Sequence, residues 1–209
     1  MKYSISVLVL SAVVVSFMGW VVENCWLSLT KGYVDNRSMA LPFLLGYGLF
    51  IVALYLLIGT PQSLVCVIKG VSKTAQRKRV FLYFFLAFIL VSLGEIILGT
   101  LVEHICGFSY WNYEWIPFHV TKYTSLPTST GFALGITFFM GKLFLPLLDM
   151  LSKLPPKLCN TLAIVFGIAL TLDFATSFIK MYLHHGLNYY WHIKVGRPVI
   201  SLRLRSVQQ

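Results

Sequence analysis

The stretch that decides the fold is residues 80–105, VFLYFFLAFILVSLGEIILGTLVEHI, where Glu95, Glu103 and His104 alone interrupt the run as acidic or basic side chains. An apolar run of roughly 18 residues or more predicts a transmembrane α-helix. Comparable runs occupy about residues 3–29, 40–59, 129–151 and 158–183. The sequence therefore predicts an all-α fold, a polytopic transmembrane helix bundle of about five spans.

Composition supports a membrane protein organised as one domain. Hydrophobic residues make up 57% of the 209 residues and charged residues 11%, whereas soluble domains carry about 25% charged residues. A soluble fold of this size would expose apolar surface and aggregate. Residues 1–186 are thus predicted to form the transmembrane helical bundle and 187–209 a basic C-terminal tail. The short apolar segment 62–68 is expected at the membrane interface.

The net charge of +10 indicates an orientation in the membrane. Basic residues in short loops mark the cytoplasmic side. One side carries Lys2, Lys69, Lys73, Arg77, Lys78, Arg79, Lys153 and Lys157, and the other carries Lys31, Arg37 and Lys122. We therefore expect the N-terminus in the cytoplasm of a multi-pass cell-membrane protein. With five spans the tail lies outside the cell. This is contrary to the rule, because the tail contains Lys194, Arg197, Arg203 and Arg205. No basic nucleic-acid motif is visible, so no nucleic-acid partner is expected.

Polar side chains recur at helical spacing on three of the predicted spans. At about 100° per residue, each of these sets shares one helix face: Ser16, Gly19 and Glu23; Ser92, Glu95, Gly99 and Glu103; Asp173, Thr176, Ser177, Lys180 and His184. An ionisable group costs about 2.5–3.5 kcal/mol within a membrane helix, so it usually faces the bundle interior. The stripes predict an outward polar cavity. The alternatives are that Glu103, Lys180 and His184 reach the headgroups, and that Asp173 pairs with Lys180.

The two outer loops add candidate binding residues. Asn36 and Arg37 follow the first span, and Arg37 either pairs with a glutamate or binds an anion bidentately. Residues 108–115 are rich in aromatics, including Trp111, Asn112 and Tyr113. This loop forms either an interfacial belt or a cap over the cavity.

Several kinds of chemistry are absent from the sequence. No nucleotide-binding loop, H-E-x-x-H or G-x-S-x-G motif occurs, so no cofactor, metal or catalytic residue is assigned. The cysteines lack C-x-x-C spacing, and a disulfide between Cys25 and Cys106 stays open. Gly131-x-x-x-Gly135 predicts close helix packing within the chain, with a homo-oligomer interface as the alternative.

A set of short motifs resembles a known family. They are Gly19-Trp20-x-x-Glu23, Asn36-Arg37-Ser38-Met39, Leu41-Pro42-Phe43, Tyr47-Gly48, Glu95, Trp111-Asn112-Tyr113 and Gly131. In this order they resemble the putative ABC-transporter type IV permeases, a CmpB-like family of small bacterial membrane proteins. That family usually has glycine where Ser38 stands and aspartate where Asn112 stands. The resemblance implies a permease, which would need either a separate ATP-binding subunit or an ion gradient.

Three functions compete on this evidence. The first is a permease-like transport component with an outward polar cavity and no ATPase of its own. The second is a noncatalytic membrane scaffold or sensor, and the third a lipid-modifying enzyme with Glu95 or Glu103 as a base. Since no nucleophile or metal motif supports catalysis, the interpretation as an enzyme is the weaker one. The bilayer is the expected partner in each case.

Overall fold

The computed structural model describes residues 2–64 and 76–196. Its helices are α1 Ile5–Lys31, α2 Leu45–Leu57, α3 Gln76–Cys106, α4 Leu126–Phe138, α5 Phe144–Leu151 and α6 Pro156–His184. A π-helical turn, Phe139–Leu143, joins α4 to α5 in one continuous helix, Leu126–Leu151. The helical bundle predicted from the sequence is therefore confirmed. Besides this continuous helix, α1, α3 and α6 are long and apolar enough to cross a membrane.

Local sequence accounts for the helix ends and for the π-helical turn. Ser4 caps α1 by accepting a hydrogen bond from the Val7 backbone N–H, and Gly32 ends it in a left-handed conformation. Pro156 begins α6, where the N–H it lacks would have no partner. Within the continuous helix, Pro146 cannot donate to the preceding turn, and the π-helical turn lies directly before it.

The second apolar run forms a shorter helix than the others. α2 begins at Leu45, five residues later than predicted, and its 13 residues rise about 20 Å, short of the roughly 30 Å hydrocarbon core. Pro42 explains the late start, because proline disfavours the helical conformation at the residue before it. The Leu44 N–H donates instead to the carbonyl of Ser16, halfway along α1. Residues 40–44 therefore reach membrane depth without being helical.

The helices pack as two halves. In the first half α1 packs against α2 and α6, and in the second half α3 packs against α4. The halves meet where α5 lies against α1, near the start of the chain, and where α3 contacts α6. We call this end of the bundle the amino end and the opposite end, where α1 and α3 finish, the polar end.

The hydrophobic core lies in the amino half of the bundle. Its buried members include Tyr3, Val7 and Val15 from the start of the chain, packed with Phe144 and Leu148 of α5. From α1 none of the cluster's buried members lies beyond Val15. The closest apolar packing between the two halves therefore lies at the amino end.

Two small antiparallel strand pairs cover the polar end. β1 Tyr33–Asp35 pairs with β4 His192–Lys194, and β2 His119–Thr121 pairs with β3 Thr124–Ser125. The first pair ties part of the predicted tail back to the loop after α1. The tail residues Arg197, Arg203 and Arg205 lie outside the described residues. So do Lys69, Lys73, Cys66 and most of the predicted interfacial segment 62–68.

The prediction that Gly131 and Gly135 allow close packing within the chain is wrong. A Cβ added at either glycine would meet nothing within 4 Å. Both glycines face outward from α4, because its buried side is formed by Ser129, Ala133 and Thr137. The close approaches occur elsewhere: an added Cβ would lie 2.4 Å from Tyr47 at Gly19 and 2.3 Å from Tyr123 at Gly99.

Replacing Gly48 with alanine tests the packing of α2 on α1. A Cβ there would lie 2.1 Å from the Ala12 carbonyl oxygen and 2.4 Å from the Ser16 hydroxyl. We expect the free energy of unfolding to fall by about 1–3 kcal/mol or more, since the neighbour is backbone that cannot easily move. Thermal unfolding in detergent, followed by tryptophan fluorescence, measures the change.

The matched control is Gly46→Ala in the same helix, where an added Cβ meets nothing within 4 Å. It should unfold at or above the wild-type temperature, because alanine favours the helix over glycine. Equal behaviour of the two variants would contradict this packing of α2 on α1.

Candidate functional site

The candidate site lies at the polar end, where the two halves face each other. Glu23, Arg37 and Tyr47 come from the first half, and Glu95, Tyr110 and Tyr113 come from the second half. We call these six residues the polar junction. It brings together Glu23, Arg37, Glu95 and Tyr113 from the sequence candidates.

On the first side of the junction, Glu23 binds two partners. The Tyr47 hydroxyl donates to its carboxylate at 2.6 Å, and the Arg37 guanidinium lies 3.7 Å from the other carboxylate oxygen. The side chains of Arg37 and Glu23 are only 14% and 20% exposed. Removing one partner of such a buried pair typically costs about 3–5 kcal/mol, so the pair constrains the loop after α1.

The loop that carries Arg37 has an unusual backbone. Arg37 and Ser38 both have positive φ angles, 50° and 61°, a conformation that glycine adopts readily and other residues rarely. Buried Asp35 compensates by accepting the Arg37 backbone N–H at 2.8 Å.

Residues near the C-terminal strand hold this loop in place. The Ser38 hydroxyl accepts the backbone N–H of Asn188 at 3.1 Å. The buried candidate Asn36 donates to the carbonyl oxygens of Met39 and Asn188, and accepts from the Tyr190 backbone N–H. Asn36 therefore positions Arg37 through the backbone rather than facing the junction itself.

Tyr110 connects the second half to Arg37. Its hydroxyl donates to the Arg37 carbonyl oxygen at 2.6 Å, and its ring centroid lies 5.7 Å from the guanidinium carbon, within the range of a cation–π contact. Burial raises the pKa of Tyr110 to about 12, so it remains a neutral donor. Burial alone would lower the pKa of Arg37, but Tyr110 and Glu23 outweigh it and raise that pKa.

On the second side, Glu95 accepts hydrogen bonds from hydroxyl groups. Thr124 donates to it at 2.9 Å and Ser129 at 3.4 Å. Tyr113 lies beside it: burial raises the pKa of Tyr113, and the charges of Glu95 and Glu23 raise it further. The two carboxylates thus act on the same tyrosine from opposite halves of the bundle.

Asp173 has a structural task at the edge of the junction. Its two carboxylate oxygens accept the backbone N–H groups of Ala40 and Leu41 at 2.8 and 3.0 Å. These N–H groups belong to the non-helical residues before α2 and have no helical partner. An unsatisfied backbone group in the membrane costs several kcal/mol, so buried Asp173 allows the chain to be non-helical there.

The remaining candidates lie away from the junction. Glu103 binds Lys122 and the Tyr123 hydroxyl, and both charged side chains are 36% exposed. Lys180 donates to the Tyr190 hydroxyl at 2.6 Å, while Asp173 binds backbone as described.

Trp111 and Asn112 serve the loop in which they lie. The Trp111 indole N–H donates to the Tyr123 carbonyl oxygen at 2.9 Å. Asn112 is exposed and bonds to Glu114. The structure therefore places both residues in contacts within the loop between α3 and α4.

Metal and disulfide chemistry can be judged from the same contacts. Within residues 2–64 and 76–196, no three His, Cys, Asp or Glu side chains converge as a metal site would require. Cys25, Cys106 and Cys159 are free cysteines, so no disulfide joins Cys25 to Cys106.

Sequence reasoning missed Tyr47, Tyr110, Thr124 and Ser129. Tyr47 was present in the motif Tyr47-Gly48 but was not assigned a role. The others lie in a loop or at a helix start, where helical periodicity gives no information on direction. Only the fold shows that their hydroxyl groups reach the charged residues.

The chain matches a known protein family. A family model described as putative ABC-transporter type IV matches residues 10–178. The chain belongs to this family. The match runs from α1 into α6 and includes every residue of the polar junction, together with Asp173. No curated protein and no solved structure matches the chain significantly. Family membership and four long apolar helices make it a multi-pass membrane protein of a transport-related family.

The variant Asp173→Asn tests the support of the non-helical segment. Asparagine offers one acceptor oxygen where aspartate offers two, so one backbone N–H of Ala40 or Leu41 loses its partner. A hydrogen bond to a charged group contributes about 1.5–3 kcal/mol. We expect faster hydrogen exchange in the peptide that contains these two amides, measured by mass spectrometry.

The control for this variant is Thr176→Val on the next turn of α6. The Thr176 hydroxyl bonds only to carbonyl oxygens of its own helix, so exchange at Ala40 and Leu41 should stay as in the wild type. Unchanged exchange in Asp173→Asn would show that its carboxylate does not support the segment.

Proposed function

We propose that this chain is a permease-like component of an ABC-type transport system and that its substrate binds at the polar junction. The family membership supports a role in transport. The observation that carries the proposal is a non-helical segment, residues 40–44, whose end lies level with the middle of α1 and whose N–H groups bind the buried carboxylate of Asp173. Irregular backbone is tolerated there only when it is buried in protein or lines a water-filled path.

The distribution of apolar and polar contacts supports a path that opens at the polar end. At the amino end the halves share the hydrophobic core of α1 and α5. At the polar end their contacts are hydrogen bonds and charge interactions, such as Tyr110 with Arg37. Water can replace polar contacts but not apolar ones. Separation at the polar end therefore costs less than separation at the amino end.

The proposed orientation places the amino end in the cytoplasm. Arg77, Lys78 and Arg79 begin α3 at this end, as the rule for basic cytoplasmic loops requires. Lys2, which lies 3.5 Å from Asp149, is at the same end. The polar junction then opens to the outside, and the basic amino end is the surface available to an ATP-binding subunit. A separate subunit is proposed because the chain carries no nucleotide-binding loop.

Accessibility of single cysteines tests the path without knowledge of the substrate. The native cysteines, at 25, 66, 106 and 159, are first replaced by serine. Glu95→Cys is then treated in intact cells with a membrane-impermeant thiol reagent. We expect modification, because such reagents attack thiolates and a thiolate forms only where water reaches it.

Two further variants serve as controls in the same cysteine-free chain. Ile97→Cys, two residues along α3 and 62% exposed on the bundle surface, should stay unmodified because it faces lipid. Glu114→Cys, in the exposed loop after α3, should react from outside. An inert Glu95→Cys would refute the path, and a Glu114→Cys that reacts only in inverted vesicles would refute the orientation.

A further inference from the structure

The polar junction contains a buried carboxylate without a cationic partner. Glu95 accepts its hydrogen bonds from the neutral hydroxyl groups of Thr124 and Ser129. Among the described residues, the ion pairs are Lys2 with Asp149, Arg37 with Glu23 and Lys122 with Glu103. A carboxylate removed from water without a counter-charge is costly. The side of the junction formed by α3 therefore offers a buried carboxylate that a cationic group would stabilise in its charged form.

The opposite side contains a guanidinium whose donors are poorly used. Arg37 approaches Glu23 at 3.7 Å, whereas a charge-assisted hydrogen bond between such groups measures about 2.7–2.9 Å. Its Nε is buried and has no hydrogen-bond partner in the described part of the chain. Arginine is the side chain best suited to bind a carboxylate or phosphate through two parallel hydrogen bonds. The side formed by the first half therefore has donors for an anionic group.

The loop after α3 supplies a tyrosine to each of the two sides. The Tyr113 hydroxyl is affected by the charges of Glu95 and Glu23 and, in the opposite sense, by the charge of Arg37. Tyr110 reaches Arg37 from the same loop. One loop therefore places Tyr110 at the guanidinium of Arg37 and Tyr113 beside the carboxylate of Glu95.

We propose that the polar junction binds a small zwitterion, with its ammonium group at Glu95 and its carboxylate or phosphate group at Arg37. A ligand with only a positive charge would be repelled by Arg37, and a ligand with only a negative charge would be repelled by Glu95 and Glu23. A ligand with both charges satisfies both sides, and the tyrosine rings can stack on its ammonium group. This inference specifies the substrate class of the proposed function. It rests on that function only in treating the ligand as the transported substrate.

The first experiment compares a zwitterion with its two halves. Phosphoethanolamine, ethanolamine and inorganic phosphate are added separately, and the latter two also together, to the purified full-length chain in detergent. A ligand that binds the folded state raises the unfolding temperature, by an amount that increases with the ratio of ligand concentration to Kd, and tryptophan fluorescence follows the unfolding. We expect a rise with phosphoethanolamine and none with either half or with the mixture. An equal rise with the mixture, or no rise with phosphoethanolamine, would overturn the proposal.

Charge-neutral variants then assign the two ends of the ligand. In Glu95→Gln and in Arg37→Gln the affinity for phosphoethanolamine should fall by about tenfold or more, as expected for the loss of one charge-assisted contact. Glu114→Gln, in the exposed part of the same loop as Tyr113, should bind as the wild type does. Wild-type affinity in Glu95→Gln would overturn the assignment of the ammonium site. Because the first experiment uses the unaltered chain, a variant that fails to fold leaves the test intact.

A lipid headgroup and a free solute share this chemistry, and a competition experiment separates them. The chain is placed in nanodiscs of phosphatidylglycerol with or without phosphatidylethanolamine. If the lipid headgroup is the ligand, phosphatidylethanolamine will weaken the binding of free phosphoethanolamine; if a solute is the ligand, it will not. Cysteine accessibility at Glu95 without zwitterion binding would overturn this inference and leave the transport role standing. Binding of the zwitterion together with an unmodified Glu95→Cys would overturn the transport path and leave this inference standing.

Discussion

The fold of the polar end depends on one interaction, between the carboxylate of Asp173 and two backbone N–H groups before α2. Inside a membrane a non-helical chain must find hydrogen-bond partners within the protein. Asp173 provides them for Ala40 and Leu41, and the Ser16 carbonyl provides one for Leu44. Because these partners exist, the chain can descend from the loop at Arg37 and begin α2 only halfway through the bundle.

The short length of α2 in turn creates the junction between the halves. If α2 began at about residue 40, regular helix would occupy the region between α1 and α6. Its backbone N–H groups would then be bonded within the helix. The non-helical segment instead leaves Tyr47 at the first turn of α2, where its hydroxyl reaches Glu23. Glycines permit this close fit: an added Cβ at Gly48 would overlap the backbone of α1, and one at Gly19 would overlap Tyr47.

Hydropathy was sufficient to predict the long helices, since a run of apolar residues must be helical to satisfy its backbone in lipid. It did not place the start of α2, because Pro42 weakens the helix locally while the compensating acceptor, Asp173, lies far along the chain. Helical spacing likewise identified Glu23 and Glu95 as members of a polar cluster, but it also assigned Asp173 and Glu103 to that cluster. Asp173 instead binds backbone N–H groups, and Glu103 binds Lys122. Both partners lie in loops, where helical periodicity gives no information. Gly131 and Gly135 had the spacing of a packing motif, yet spacing does not say which neighbour the face meets.

The unequal strength of the two ends determines how such a bundle can move. If water entered between Tyr3, Val7 and Phe144 at the amino end, their apolar contacts would be lost. Water would not compensate, because apolar side chains form no hydrogen bonds with it. Each hydrogen bond at the polar end contributes only about 0.5–1.5 kcal/mol net, since water replaces it when it breaks. The ion pair of Arg37 with Glu23 lies within the first half, so it is not broken when the two halves separate. A ligand that bridges the two sides of the junction would therefore stabilise the closed polar end. Its release would favour opening at that end and leave the apolar seal intact.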